Sequence, residues 1–359
     1  MNDEPQHVIP QRRQPKKLGR TGRIVLLSVA GVLLLVALAG SWLLLRAEKT
    51  LPKGQPVTVV IQPGESTAQI GRQLAYVGVV PNSLMFRVQA RLLANGKLKD
   101  GDYKFATGMP YDLVIKKLVS GPDITYYDVV IPEGFSAKQV ARRFAARANI
   151  PESELMSLVT SGAPQFEDEF PFLKGAYGGS LEGYLFPKTY RVKEGTSAKS
   201  VIRMMLGQFN TEFAGVDLSY AKKRGVTATG VLTIASIIEK EVKLKREYPI
   251  VASVIYNRLA KPMRLQLDST IFYFLPEGDA TITDADLFNM NPYNTYRRMG
   301  LPPGPLSNPG MEAIEAAAKP ADTKYYYYIL TGKDGSQTFA KTYAEFLVAK
   351  KKYQEVFGK

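Results

Sequence analysis

The chain has 359 residues, no cysteine, one histidine (His7) and a formal net charge of +14. Without cysteine it can form no disulfide, thiolate zinc site or cysteine nucleophile. A single histidine in a polar N-terminal segment also argues against a Ser-His-Asp triad and a histidine-based metal site. An enzyme of this composition must therefore use Glu, Asp, Lys or Tyr as its acid/base groups.

The positive charge is compatible with nucleic acid, an anionic polymer or a lipid headgroup surface as a partner. The sequence contains no zinc-finger spacing, RRM signature or basic helix with base-reading residues, so nucleic acid is not the predicted partner. Six basic and two acidic side chains lie in the first 23 residues, which we expect to form a cytoplasmic basic tail.

An uncharged apolar segment runs from Ile24 to Leu45. About twenty apolar residues span a bilayer core as a helix. The basic residues before it would stay cytoplasmic, which predicts a single-pass plasma (inner) membrane protein with its remaining residues on the outer, periplasmic face. Trp42 would lie near the outer interface. The alternative is a signal peptide cleaved after Ala37-Leu-Ala39, but the apolar segment continues past that site.

Two segments after the apolar segment resemble each other. They read Val60-Ile61-x-x-Gly64-x-Ser66-x-x-Gln69 and Val130-Ile131-x-x-Gly134-x-Ser136-x-x-Gln139. Each predicts a strand, a glycine turn and a helix with the serine as N-cap. A further parallel joins Tyr103-Lys104-Phe105-x-x-Gly108 to Tyr190-Arg191-Val192-x-x-Gly195.

These parallels predict two related α+β modules, residues 50–121 and 122–210, with an additional loop at about 164–179 in the second. The opening strand-turn-helix pattern resembles a LysM module, and LysM modules bind glycans that contain N-acetylglucosamine. The alternative is a duplicated scaffold that positions the C-terminal domain and binds no sugar.

A buried helix is predicted after Thr227, where apolar residues recur at helical spacing: Val231, Ile234, Ala235, Ile238 and Val242. Glu239 and Glu241 lie on opposite sides of this stripe, each about 80° from its centre, so periodicity does not choose between them. Partial desolvation of either carboxylate would raise its pKa and favour proton donation. A solvated helix surface is the alternative for both.

A second helix is predicted to begin at Pro249. Three polar or stiff segments follow it: Leu265-Gln-Leu-Asp-Ser-Thr270, Asn291-Pro-Tyr-Asn-Thr-Tyr296 and Leu301-Pro-Pro-Gly-Pro-Leu-Ser-Asn-Pro-Gly310. Amides bond sugar hydroxyls and aromatic rings stack on pyranose faces, so these segments are typical of a glycan groove. The predicted substrate-binding residues are Gln266, Tyr293, Asn294 and Tyr296. A structural loop network is the alternative.

The order of the C-terminal motifs resembles the YceG-like endolytic murein transglycosylases. These motifs are Ala235-Ser-Ile-Ile-Glu-Lys-Glu241, Tyr256-Asn-Arg-Leu259, Leu265-Gln266, Asp268, Pro292-Tyr-Asn-Thr-Tyr296, Gly300-Leu-Pro-Pro-Gly-Pro305 and Ser307-Asn-Pro-Gly310. The resemblance extends to Glu182-Gly-Tyr-Leu-Phe-Pro187 and covers nearly everything after the N-terminal tail. One departure is Lys188, where the family usually has Asp.

The resemblance implies an α+β fold with a C-terminal mixed α/β catalytic domain, residues 215–359, and lyase activity. The expected reaction cleaves the β-1,4 bond between N-acetylmuramic acid and N-acetylglucosamine. The C6 hydroxyl of the muramic acid closes on C1 and leaves a 1,6-anhydro end. Carried over by position, Glu239 is the one catalytic acid/base.

The same resemblance implies peptidoglycan glycan strands as substrate, with action on nascent strands that terminates their elongation. It implies no metal and no organic cofactor, and peptidoglycan synthases are candidate partners. Two alternatives remain at this point. One is a non-catalytic, membrane-tethered scaffold that binds peptidoglycan. The other is a hydrolase with Glu239 as acid and Asp268 or Asp286 as base.

Overall fold

The computed structural model describes residues 20–47, 54–94, 98–278 and 281–358. Within these residues the chain has a mixed α+β fold, as predicted. It separates into two compact units, residues 1–123 and 124–359.

The first helix, α1, spans Arg20–Ala47 and contains the predicted membrane span. Residues 1–19 of the predicted basic tail lie outside the described residues, as do the side chains of Arg20, Arg23, Leu26 and residues 41–47. Among the fully described residues, no helix is long and apolar enough to cross a membrane.

The rest of the first unit is a β-α-α-β-α arrangement. Its elements are β1 (Pro56–Ile61), α2 (Thr67–Tyr76), α3 (Ser83–Leu93), β2 (Gly101–Ala106) and α4 (Tyr111–Ser120). The two strands are antiparallel, with Val59 opposite Tyr103. Both of these side chains are buried in the core of this unit, together with apolar residues of the three helices.

The second unit begins with the same five kinds of element in the same order. They are β3 (Tyr126–Val130), α5 (Ala137–Ala148), α6 (Glu152–Ser161), β4 (Thr189–Lys193) and α7 (Ala198–Phe213). The strands are again antiparallel, and Val129 lies opposite Tyr190. Between α6 and β4 this copy has three short 3₁₀ segments, Ala163–Gln165, Pro171–Leu173 and Tyr177–Gly179.

Both copies begin their first helix in the predicted way. The hydroxyl of Ser66 accepts from the backbone N–H of Gln69, and the Gln69 side chain accepts from the N–H of Ser66. Ser136 and Gln139 form the same reciprocal pair at the start of α5. Such a capping box satisfies two backbone donors that the helix itself leaves free, so it defines where the helix begins.

The C-terminal part of the second unit contains seven helices and two strands. Its elements are α8 (Ser219–Lys223), α9 (Ala228–Glu241), α10 (Tyr248–Leu259), α11 (Asp268–Phe272), α12 (Asp284–Phe288), α13 (Met311–Ala318), β5 (Tyr327–Leu330), β6 (Gln337–Ala340) and α14 (Tyr343–Phe357). The predicted helices after Thr227 and at Pro249 are confirmed as α9 and α10. β5 and β6 form an antiparallel hairpin.

The central helix of this unit is α9. It begins at Thr227, whose hydroxyl accepts from the N–H of Gly230 at 3.0 Å. Every residue from 231 to 238 is buried, and α10, α11 and α13 pack around the helix. A helix that is apolar on all sides needs partners on all sides. One hydrophobic core therefore runs from the second module into the C-terminal segment, across the domain boundary expected near residue 210.

Candidate active site

Glu239 and Glu241 lie in the last turn of α9, and each is half-buried. Their carboxylates meet different residues, because the helix directs them to opposite sides. The sequence periodicity predicted this separation, and the structure shows what occupies each side.

Two donors hold the Glu241 carboxylate. Its Oε1 accepts from the backbone N–H of Ser269 at 2.9 Å, and its Oε2 accepts from the hydroxyl of Tyr328 at 3.4 Å. Burial raises the pKa of Glu241 above its usual range, and the nearby Asp268 adds to the increase. The donors from Ser269 and Tyr328 offset part of this shift because they favour the charged form.

A cavity of about 920 Å³ opens beside Glu241. The start of α5 lines one part of the cavity with Ser136, Lys138, Gln139 and Arg142. Another part is lined by Glu241, Asp268 and Ser269, and Phe272 and Tyr273 add apolar surface. Glu239 is not among the described residues that line this cavity.

The hydroxyl of Ser269 is buried and has no hydrogen-bond partner among the described residues. It lies near enough to Glu241 to lower the pKa of that carboxyl, but the two groups do not meet in hydrogen-bond geometry. A buried hydroxyl without a partner is costly, so this Oγ at the cavity wall is suited to a ligand that supplies one.

Glu239 belongs to a different polar cluster. Its Oε1 accepts from the hydroxyl of Tyr248 at 3.1 Å and its Oε2 from the backbone N–H of Gly310 at 3.0 Å. Burial raises the pKa of Glu239, and the negative charge of Glu133 adds to this increase. Nζ of Lys245 forms a salt bridge with Oε2 of Glu133 at 2.9 Å.

Gly310 lies close to Glu133. A Cβ at position 310 would lie 1.9 Å from the Oε1 of Glu133, so this flexible, partly exposed side chain would have to shift. The backbone N–H of Gly310 reaches Oε2 of Glu239, so the end of this motif helps to shape the surroundings of Glu239.

Tyr296 and Gln266 differ in how the structure places them. Tyr296 is half-buried, and its hydroxyl makes a short hydrogen bond to Oδ1 of Asp268, which lines the cavity. Burial and this contact raise the pKa of Tyr296 far above its usual range. Gln266 is exposed and has a left-handed backbone with φ 49°, held by its N–H bond to the carbonyl of Thr295 at 3.2 Å.

The other two predicted sugar contacts are buried. Tyr293 packs its ring 4.5 Å from that of Tyr273, which lines the cavity, so its contact with the cavity is indirect. Asn294 is fully buried, and its Nδ2 donates to the carbonyls of Asp286, Leu287 and Asn289. The two hydrogens of that amide are already engaged, so Asn294 holds its loop together and does not face the cavity.

Comparison with known proteins decides the family. The sequence profile of the YceG-like family matches residues 59–352. The chain belongs to the YceG-like family. An endolytic murein transglycosylase of Bacillus subtilis is 33% identical over 307 residues, which cover 83% of this chain and 84% of the relative.

A second relative and a solved structure support the same family. An endolytic murein transglycosylase of Streptococcus pneumoniae is 29% identical over 312 residues, or 79% of this chain and 56% of the relative. The crystal structure of a yceG-like protein from Listeria monocytogenes matches with a TM-score of 0.56 and 33% identity, and covers 83% of this chain and 99% of that one.

The sequence did not single out one residue that lines the cavity of this YceG-like chain. Glu182 is only 5% exposed and stands directly before the φ 88° turn at Gly183. Burial raises the pKa of Glu182 to about 8. The family motif from Glu182 to Pro187 pointed to this segment. The burial of a single Glu in a loop, however, cannot be predicted from the sequence.

Proposed function

We propose that this YceG-like protein is an endolytic murein transglycosylase, a lyase that cleaves the glycan strands of peptidoglycan. The family match over residues 59–352 and the names of the relatives support the activity. The observation that carries the chemistry is a half-buried carboxyl with a raised pKa, Glu241, on a cavity of about 920 Å³. That volume lies within the roughly 300–1,000 Å³ typical of ligand pockets.

The proposed reaction needs one carboxyl. Protonated Glu241 donates its proton to the glycosidic oxygen as the bond from that oxygen to C1 of N-acetylmuramic acid breaks. Positive charge develops at C1 as in glycoside hydrolysis. The C6 hydroxyl of the same sugar then bonds to C1 and gives its proton to the Glu241 carboxylate. This step forms the 1,6-anhydro ring and restores the acid, with no water consumed.

Three observations favour Glu241 over Glu239 as this acid. Glu241 lines the cavity, the unpartnered hydroxyl of Ser269 lies beside it, and Asp268 and Tyr296 from the family motifs are on the same side. The assignment of Glu239, carried over by position from the family, stays a prediction. Its carboxylate instead receives hydrogen bonds from Tyr248 and Gly310.

A hydrolase is the second candidate, because Asp268 lines the same cavity as Glu241 and would be its base. Asp286 does not share that position, since it forms the capping box of α12 with Thr283. A water-mediated cleavage leaves reducing ends, whereas the transglycosylase leaves anhydro ends.

The test is product analysis. Purified protein is incubated with uncrosslinked glycan strands, and the new ends are identified by mass spectrometry. We expect internal cleavage with 1,6-anhydro-N-acetylmuramic acid at each new end. Reducing ends would establish the hydrolase, and intact strands with retained glycan binding would leave the peptidoglycan-binding scaffold.

We also propose that residues 24–45 anchor the protein in the plasma membrane, with the N-terminus inside and the second unit on the outer face, where nascent strands and their synthases lie. The basic flank and the uncharged apolar segment support this orientation. A reporter fused after Lys359 should behave as exported, and reporter activity in the cytoplasm would contradict the orientation.

A further inference from the structure

Glu182 is the most deeply buried of the carboxylates that line the cavity, and the proton transfers described above do not use it. Its side chain is 5% exposed, whereas Glu241 is half-buried and Asp268 is exposed. Acidic side chains are seldom buried without a compensating role. Its position on the cavity wall calls for an explanation in terms of what the cavity binds.

Hydrogen bonds fix the Glu182 carboxyl in one place. Its Oε1 accepts from the backbone N–H of Ala137, the first residue of α5, at 2.9 Å. It also accepts from Nδ2 of Asn308 at 3.4 Å. Asn308 is itself fully buried, and its Oδ1 accepts from the N–H of Leu185 at 2.8 Å. The carboxyl therefore joins the start of α5 to the loop at Asn308 and has little freedom to turn away.

The charged groups around Glu182 do not keep it ionised. Lys240 of α9 and Lys138 of α5 favour the charged form, as do the N–H groups of Ala137 and Gly183, but burial outweighs them and raises the pKa to about 8. Tyr273 and Tyr293 face it with uncharged hydroxyls whose pKa values are raised by burial, with Glu182 adding to the increase. Glu182 therefore retains its proton at neutral pH.

We infer that Glu182 binds the glycan as an uncharged carboxylic acid whose O–H donates a hydrogen bond to a neutral sugar oxygen, a hydroxyl or an acetamido carbonyl, in the cavity. This inference rests on the proposed function. One oxygen remains the acceptor for Ala137 while the other carries the proton, so the group serves the fold and the ligand together. No proton is transferred, because the acid/base role belongs to another carboxyl.

Binding is measured apart from cleavage. The parent is the full chain with Glu239→Gln and Glu241→Gln together, which removes both candidate acid/base groups. The probe is uncrosslinked glycan strands without stem peptides, titrated between pH 6.5 and 9.5. One neutral hydrogen bond corresponds to about a tenfold change in affinity. We expect the parent to lose about tenfold in affinity as pH rises through 8.

Substitutions at position 182 separate a neutral donor from a charged group. Glu182→Gln keeps a donor and an acceptor, so its affinity should stay near the parent's pH 6.5 value at every pH. Glu182→Ala should bind about tenfold more weakly throughout. The matched control is Glu247→Gln, because Glu247 is also buried and accepts from the N–H of Gln337, and it is not among the described residues that line the cavity. It should follow the parent.

Several outcomes would overturn the inference. The first is a parent affinity that does not change with pH. The second is a Glu182→Gln variant whose affinity still falls as the pH rises through 8, and the third is a Glu182→Gln affinity as low as that of Glu182→Ala. Anhydro ends made by the unsubstituted protein report separately on the proposed function. Binding without cleavage by that protein would refute the transglycosylase and leave the inference standing. No binding by the parent at any pH, while the unsubstituted protein still makes anhydro ends, would refute the inference alone.

Discussion

Replacing each glutamate of Glu239-Lys-Glu241 with glutamine gives the sharpest test of the mechanism. In Glu241→Gln the amide oxygen still accepts from the N–H of Ser269, and the amide nitrogen donates to the hydroxyl of Tyr328. The fold and the cavity should persist while the transferable proton is lost. General acid–base catalysis contributes about 10²–10⁴-fold. One carboxyl serves both steps here, so we expect a loss of about 10⁴-fold.

The matched variant Glu239→Gln should behave differently. Its amide oxygen keeps the hydrogen bond from Gly310, and the hydroxyl of Tyr248 must turn to accept from the amide nitrogen. At most one hydrogen bond is weakened, which corresponds to about 1 kcal/mol of stability. We expect cleavage to change by less than about tenfold.

The assay counts anhydro ends released per minute from uncrosslinked strands, with thermal unfolding of each variant as the control for folding. Because Glu241 must begin protonated, kcat/KM of the unsubstituted protein should fall as pH rises past the raised pKa of this group. An inactive Glu239→Gln beside an active Glu241→Gln would return the acid/base role to Glu239. Near-normal rates in both variants would refute the one-carboxyl mechanism.

Two further predictions concern stability. Asn294→Ala removes an amide that donates to three backbone carbonyls, so the melting temperature should fall while turnover per folded molecule is retained. Loss of turnover without loss of stability would instead make Asn294 a sugar contact. Between pH 4.5 and about 8 the folded chain keeps the Glu182 proton that the unfolded chain releases. The free energy of unfolding should therefore fall by about 1.4 kcal/mol for each unit by which the pH rises in that window. Thermal unfolding of Glu182→Gln should show a smaller decline, to which Glu239 and Glu241 still contribute, whereas an equal decline in both proteins would contradict the burial argument.

The sequence predicted best what depends on neighbours in the chain. The capping boxes at Ser66 and Ser136 join residues three positions apart, so the Ser-x-x-Gln pattern suffices to find them. Helix α9 was visible because its buried face repeats with helical spacing. The repeated motifs predicted the strand, turn and helix that open each copy, but not the second helix, the second strand and the third helix that follow.

The choice between Glu239 and Glu241 depends on distant residues. One donor to Glu241 is Ser269, 28 positions away, and one donor to Glu239 is Gly310, 71 positions away. Periodicity carries no information about such partners. Asn294 shows the same limit. An amide among aromatic residues gives the same sequence pattern whether it donates to sugar hydroxyls or to the carbonyls of its own loop.

The first module provides the last prediction. The start of α2 and the exposed side of α3 line a separate pocket of about 470 Å³ with Ser66, Thr67, Arg87 and Arg91. The corresponding start of α5 lines the cavity of the second unit, where Glu182 and Glu241 supply acids. The described residues that line the first pocket include no carboxylate, so a glycan bound there by the arginine donors would be held without being cut.

Arg87→Ala with Arg91→Ala should therefore weaken retention on sacculi while the rate on short soluble strands stays unchanged. Sedimentation with purified sacculi measures the first quantity, and anhydro-end release measures the second. Unchanged retention would mean that the first module is a scaffold without a glycan site. An equal fall in both quantities would mean instead that the two arginines support the fold, which thermal unfolding of the variant would reveal directly.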